Sequence, residues 1–157
     1  MTEQKVAIVT AAGKGMGAAI ASELAAAGYT LALMSPSGAA AALAERLNGL
    51  GLTGSVTEPA DLRRLVEQTL ARYGRIDAVV NHTGHPPKGP LLEIPDEDWH
   101  RGLDLVMLNV VRMARLVTPR MQAQGGGAIV NISTYAVFEP EDTFPVSASL
   151  RAALAGF

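Results

Sequence analysis

The 157-residue chain contains no cysteine. Disulfides and thiolate metal sites are therefore excluded. Neither sign of charge is in excess: 13 basic side chains face 15 acidic ones, a net charge of -2. That balance leaves no electrostatic footprint for nucleic acid or for an anionic membrane surface. No apolar run approaches the roughly 20 residues of a transmembrane helix. The opening Met1-Thr2-Glu3-Gln4-Lys5 has no signal-peptide pattern and leads straight into an apolar run. There is no internal repeat, linker or low-complexity tract; residues 39–44 are alanine-rich but fit an ordinary helix. With 48% hydrophobic and 18% charged residues, the composition is that of a globular domain with a real core. The expectation is one soluble, cytoplasmic domain over residues 1–157.

What is present is concentrated near the start. The apolar run Val6-Ala7-Ile8-Val9 is followed by Thr10-Ala11-Ala12-Gly13-Lys14-Gly15-Met16-Gly17, and then by an alanine-rich segment, 18–27. This order predicts a strand, a glycine turn and a helix. Alternating glycines let the backbone approach a ligand closely, since no Cβ intervenes. The helix aims its free N–H groups and the positive end of its dipole at the turn, an environment suited to an anion. The functional reading is a phosphate cradle for a dinucleotide. The alternative is a flexible strand-to-helix turn. The spacing is not the Gly-x-Gly-x-x-Gly fingerprint.

Further along, strand-like and helix-like segments alternate. Apolar runs predict strands at 6–10, 30–34, 52–56, 76–80 and 128–133. Helices are expected at 15–27, 38–47, from Pro59 to the stop at Gly74, over 99–122 with a disturbance at Pro119, and at 148–157. Asp96-Glu97-Asp98 place negative charge where the long helix begins, the favoured end for it.

Strands separated by helices argue for an α/β fold: a Rossmann-type, doubly wound parallel sheet in three layers. Ligands in such sheets lie beyond the carboxyl ends of the strands. Residues 11–17, Ser35, Ser55, 81–84, Ser133 and Thr134 should therefore line one rim. Dinucleotide-binding sheets normally have about six strands, whereas this sequence stops inside an apparent helix after the fifth. A fragment of a longer protein is the expectation, because open edge strands are a liability.

These residues resemble the N-terminal part of a short-chain dehydrogenase/reductase, and the resemblance spans the whole chain. The family's Thr-Gly-x-x-x-Gly-x-Gly motif matches Thr10 to Gly17, except that Ala11 replaces the first glycine. Its Asn-Asn-Ala-Gly motif reads Asn81-His82-Thr83-Gly84 here. The stretch Gly74-Arg75-Ile76-Asp77-Ala78-Val79-Val80-Asn81, the helix asparagine Asn109, and Ile129-Val130-Asn131-Ile132-Ser133 all match in order and spacing.

The resemblance implies hydride transfer between a nicotinamide cofactor and a small carbonyl or alcohol substrate. The cofactor-binding positions carried over are Ala11, Gly13, Lys14, Gly15, Met16, Gly17, Ser35, Ser55, Val56, Asn81, Thr83 and Gly84. NAD is usually gripped through its ribose by an acid after the second strand; here that region is Met34-Ser35-Pro36-Ser37, with no acid. Lys14, inside the glycine turn, offers a cation to a 2′-phosphate. NADP(H) is therefore favoured over NAD(H). Where the family often has an adenine-binding aspartate after the third strand, this chain has Ser55.

The catalytic positions depart most. The family uses Asn, Ser, Tyr and Lys: the phenol exchanges a proton with the substrate oxygen, the lysine lowers the phenol's pKa, the serine holds the oxygen, and the asparagine supports a water leading to solvent. Here Asn109 is retained, Thr134 stands for the serine, Ser147 for the tyrosine and Arg151 for the lysine. A phenol titrates near 10 and can be tuned; an aliphatic hydroxyl is shorter and far less acidic. Arginine keeps its charge but stays protonated, so it cannot relay a proton. Tyr135 is a weaker candidate acid, since neighbours after a strand point in different directions. His82, His85 and His100 read as solvated histidines rather than metal ligands. Asn109 also admits the plainer reading of a satisfied buried amide; Trp99 and Met107 read as core residues. The alternative to an altered oxidoreductase is a non-catalytic nicotinamide-nucleotide-binding protein, a sensor or an inactive subunit. A third reading is a structural piece that needs further chain to fold. Family members commonly form homodimers or tetramers.

Overall fold

The computed structural model describes residues 4–157. Met1, Thr2 and Glu3, part of the opening stretch read above, lie outside them. Five parallel strands form one sheet in the order β3-β2-β1-β4-β5. The strands are β1 (Val6–Thr10), β2 (Thr30–Ser35), β3 (Leu50–Thr53), β4 (Ala78–Asn81) and β5 (Ala128–Asn131). The helices are α1 (Gly15–Ala26), α2 (Ala39–Arg46), α3 (Pro59–Tyr73), α4 (Asp96–Leu103), α5 (Asn109–Ala123) and α6 (Pro145–Gly156).

Period-2 alternation explains how apolar strands serve two faces. Along β1, Ala7 and Val9 pack with Leu31 and Leu33 of β2 against Ala21 of α1 and Leu43 of α2. Ile8 points the other way, with Ala32, Met34 and Val79, against Leu62 and Leu65 of α3 and Met113 and Val117 of α5. Every residue of β1 is buried. At the far edge, β5 alternates exposed and half-buried residues.

Four sequence expectations are corrected. The third strand lies at Leu50–Thr53 rather than 52–56. Its register pairs Leu50 with Ala32 and Thr53 with Ser35, and Gly51 lets α2 press onto it, since a Cβ there would lie 2.4 Å from Ala41 Cα. Ser55 and Val56 belong instead to the turn that starts α3. The long helix is interrupted not at Pro119 but at a π turn, Asp104–Leu108, between α4 and α5. Pro119 sits inside α5 on its exposed side, where a carbonyl freed by the missing N–H can meet water. The last helix begins at Pro145, three residues earlier than expected, because proline suits the first turn. Trp99 and Met107 are only partly buried and do not join the core.

The inner end of the sheet is tied by Asp77. Its carboxylate accepts the Val6 N–H at 2.8 Å and both Nε (2.9 Å) and Nη2 (2.7 Å) of Arg75. Its backbone bridges Val6 and Ala128. Burial of this carboxyl opposes ionisation, but the Arg75 and Val6 hydrogen bonds and the charges of Arg75 and Lys5 outweigh it and hold its pKa below the usual carboxylate range. A depressed folded-state pKa adds stability above the unfolded value of about 3.9 and loses it as pH falls through the folded value. Asp77→Asn should therefore cost about 1–3 kcal/mol at pH 7 and flatten the loss of stability below about pH 4. Urea melts of both proteins at pH 7 and pH 3.5 check both effects, and an unchanged acid slope would remove Asp77 as its source.

Candidate functional site

The carboxyl ends of the strands are stitched into one rim. Ala12 N–H donates to Met34 O (3.0 Å), and Gly54 N–H to Ser35 O (2.9 Å). Thr10 Oγ1 donates to His82 O at 2.7 Å and accepts the His82 N–H at 3.0 Å. Asn81 Nδ2 donates to Asn131 Oδ1 at 2.9 Å, and Ile132 N–H to Asn81 O at 3.0 Å.

The glycine turn sits on this rim between β1 and α1. No side chain caps α1, so its first-turn N–H groups face the space above the turn. A Cβ on Gly15 would meet nothing within 4 Å, and Gly15 has φ +54°. Gly13 and Gly17 are glycines for contact: a Cβ would lie 2.8 Å from Ser35 Oγ at Gly13 and 2.3 Å from Ala11 O at Gly17. Lys14 and Met16 are exposed on the outer side of the turn. The chemistry of this set suits an anion held by backbone donors.

Ala11, the departure from the family motif, has φ +49°. An L-residue in this left-handed region is strained by about 1–2 kcal/mol, which glycine avoids. Ala11→Gly should accordingly stabilise the fold by about 1 kcal/mol, a Tm rise of about 2–4 °C. Calorimetry of the variant measures it; a lower Tm would show that the turn is not strained at Ala11.

The two serines are tied within the chain. Ser35 is buried; its hydroxyl donates to Ser37 O (2.7 Å) and accepts the Ala40 N–H (3.2 Å) at the start of α2. Ser55 Oγ accepts the Thr57 N–H at 3.2 Å and lies 2.8 Å from Thr57 Oγ1, while Asp61 holds its N–H at 2.9 Å. Val56 is buried below this turn. Asn81 is buried, Thr83 half-buried and Gly84 exposed beside β1's end.

The other half of the site is carried by α5, α6 and the segment after β5. Asn109 is buried at the first position after the π turn, and its Nδ2 donates to Leu105 O. π turns recur at functional sites; here the side-chain amide serves a carbonyl of the widened turn. Gly102 lets α6 approach α4, since a Cβ there would lie 2.3 Å from Val146 Cγ1. That approach seats Ser147 and Arg151 one turn apart on α6. Arg151 is 8% exposed, and its Nη1 donates to Ile132 O at 2.6 Å. Burial pushes its pKa down from the usual arginine value. Thr134 is half-buried, and its Oγ1 accepts the Ala136 N–H at 3.4 Å. Tyr135 is exposed and donates to the Glu141 carboxylate, a partner away from Thr134's fold.

A small cavity of about 10 Å³ gathers Asn81, His82, Thr83, Asn109 and Arg151. His82 is thus not a solvated histidine: Nδ1 is buried with no hydrogen-bond partner, as are Asn81 Oδ1 and Thr83 Oγ1. Sequence reasoning missed it because a loop of His, Pro and Gly carries no burial periodicity. His85 and His100 are exposed. Among the described residues no three His, Asp or Glu side chains cluster as metal ligands, and no helix is long and apolar enough to cross a membrane.

The family model for short chain dehydrogenase matches residues 5–157. The chain is 35% identical over 145 residues to Dehydrogenase/reductase SDR family member 4 of Caenorhabditis elegans, covering 87% of this chain and 56% of that protein. It is 33% identical over 135 residues to 3-oxoacyl-(acyl-carrier-protein) reductase FabG of Escherichia coli (strain K12), covering 84% of this chain and 55% of that one. Two solved structures superpose closely. A short-chain dehydrogenase from Streptomyces avermitilis has a TM-score of 0.92 at 29% identity, covering 99% of this chain and 59% of its own. An L-sorbose reductase from Gluconobacter frateurii, complexed with NADPH and L-sorbose, has a TM-score of 0.91 at 30% identity, with 99% and 62% covered. The chain thus spans little more than half the length of the curated relatives it matches.

Proposed function

This chain belongs to the short chain dehydrogenase family, and from that premise we propose that it transfers hydride between NADP(H) and a small carbonyl or alcohol, with an altered proton-transfer set. One observation carries the proposal. The uncapped start of α1 opens behind a glycine turn with free space above Gly15, on the rim where the strands end. A dinucleotide pyrophosphate fits that cradle.

The residues that would hold the dinucleotide are the turn from Ala11 to Gly17 and the β4 end at Asn81, Thr83 and Gly84. Ser35, Ser55 and Val56 support this wall; the Ser35 and Ser55 hydroxyls are spent on their own turns, so they shape the site more than they donate to it. The exposed Lys14 and the lack of an acid after β2 favour a 2′-phosphate. When bound, the nicotinamide supplies or accepts the hydride. This chain's part is to hold the substrate oxygen with the Thr134 and Ser147 hydroxyls and to place the Arg151 charge one turn away. Asn109 keeps the π turn and the cavity in shape. Proximity of substrate and cofactor sustains turnover even with a weak acid. The same family reading implies a cytoplasmic homodimer or homotetramer.

Fluorescence titration with NADPH and NADH tests the proposal, followed by turnover on a panel of small ketones and alcohols. Saturable NADPH binding, at least about tenfold tighter than NADH, is expected; that ratio corresponds to about 1.4 kcal/mol. Binding without turnover on any carbonyl favours the second reading, a non-catalytic nucleotide-binding protein, to which the changes at Ser147 and Arg151 already point. A folded sample that binds neither nucleotide defeats both.

A further inference from the structure

Six methionines carry all the sulfur of this chain, since it has no cysteine. Among the described residues, Met34 and Met113 are fully buried, Met121 is 5% exposed and Met107 is half-buried. Met16 is 60% exposed. It stands in the glycine turn itself, between Gly15 and Gly17, as the second residue of α1. A thiolate would intercept an oxidant first, but the chain offers none. Peroxides therefore meet the Met16 thioether before any other described sulfur, because susceptibility follows exposure.

The surroundings of Met16 make that sulfur consequential. A Cβ on Gly15 would meet nothing within 4 Å, so the neighbouring residue leaves the space above the turn clear. Methionine is unbranched and flexible, and its Sδ can swing from the outer side of the turn over Gly15. No side chain caps α1, so its first-turn N–H groups stand free there. A thioether sulfur is a weak acceptor and leaves those donors to an anion. A sulfoxide oxygen is a polar acceptor. Tethered to the same helix, it competes for the donors at a high effective concentration. It also sets partial negative charge beside any phosphate seated there, and like charges repel.

We propose that Met16 is a reversible oxidation site that switches the nucleotide cradle off. The inference rests on the reading of this turn as the pyrophosphate seat. The oxidant is hydrogen peroxide. The Met16 Sδ lone pair attacks one of its oxygens, an S–O bond forms and the O–O bond breaks. The leaving oxygen takes up the proton of the transferred one and departs as water. Sulfur loses two electrons and the peroxide gains them. A methionine sulfoxide reductase returns the thioether. The fold is left alone, because this side chain faces solvent. The same change at Met34, Met113 or Met121 would put a polar group into the core.

Limiting hydrogen peroxide on the folded protein, followed by peptide mass spectrometry, reads the selectivity. Met16 should gain its oxygen at least about tenfold faster than Met34, Met113 and Met121. NADPH titration of the oxidised protein should show affinity lowered about tenfold, the worth of one hydrogen bond to a charged group. Its Tm should stay within about 2 °C of the untreated value. Treatment with the reductase should restore the affinity. Met16→Leu has no sulfur at this place, so its affinity, whatever the starting value, should be the same before and after peroxide. An untreated protein with no NADPH affinity overturns the cradle reading and this inference with it. Affinity kept after Met16 is oxidised overturns this inference alone. So does equal oxidation of the buried methionines, or an equal loss in treated Met16→Leu. Should Met16→Leu fail to fold, graded oxidation of the wild type decides: affinity should fall with the oxidised fraction of Met16 and not with that of Met107.

Discussion

Replacing Ser147 by tyrosine and Arg151 by lysine together should raise the rate of NADPH-dependent carbonyl reduction by about 10²-fold or more, the usual worth of a positioned acid. The two positions stand one turn apart on α6, whose seat is set by Gly102 rather than by either side chain. A phenol at position 147 would reach further than the serine hydroxyl and is a much stronger acid. A lysine at position 151 can still donate to Ile132 O, the partner of the present guanidinium. Unlike arginine, it can also give up its proton. Each single change should do far less than the pair. A lone phenol would stand beside an arginine that is engaged on Ile132 O and cannot relay a proton, and a lone ammonium has no phenol to act on. Residues that act as a unit are strongly non-additive. Rates for the wild type, both singles and the double, at saturating NADPH, form the cycle. A double variant that binds NADPH yet gains nothing would place the acid elsewhere than α6.

The parts of this fold that were readable in the sequence share one property: a short-range cause. β1 begins and ends as the apolar run implies, because every one of its residues is buried between two helical layers. α1 starts at Gly15 as expected, since the glycines before it dictate the turn. Gly74 ends α3 in the left-handed conformation that a helix stop needs. The sheet and its family were legible for the same reason. They follow from repeated local units joined by rules of connection.

What was not readable depends on partners distant in the chain. β3 carries few large apolar residues, and its place is fixed by register with β2 and by the fit of Gly51 under α2. The π turn at Asp104–Leu108 has no breaker residue; it sits where α6 packs on the long helix. Pro119, the visible breaker, costs little on an exposed side. At the candidate site, the departures from the family's motifs could be named from the sequence, but their environment could not. Nothing in Ser147-Ala148-Ser149-Leu150-Arg151 says that the arginine is buried against a carbonyl of the β5 exit. Nothing in Asn81-His82-Thr83-Gly84 says that the histidine shares its cavity. The local partners of Ser35 and Ser55 were not readable either: their hydroxyls serve their own turns, as serines after strands often do.

Gly17→Ala should abolish measurable NADPH binding and lower stability by about 2–3 kcal/mol, the cost of forcing volume into a filled space. The added Cβ would lie 2.3 Å from Ala11 O, 2.9 Å from Ala11 C and 3.1 Å from Ala12 Cα. All three are backbone atoms, so no side chain can rotate away. Ala11 already occupies the left-handed region and has no easy neighbouring conformation to relax into. Ala12 is fully buried and bonded to Met34 O. The strain must therefore be relieved by α1 moving off the end of β1. That movement carries the first-turn N–H groups away from the anion they are proposed to hold. Gly15→Ala separates the two effects: its Cβ meets no protein atom, so stability should fall only by the backbone cost of about 1 kcal/mol. Urea melts alongside NADPH titrations of both variants make the comparison. If Gly17→Ala keeps wild-type affinity, the pyrophosphate is not seated on this turn, because no other relaxation leaves the cradle intact.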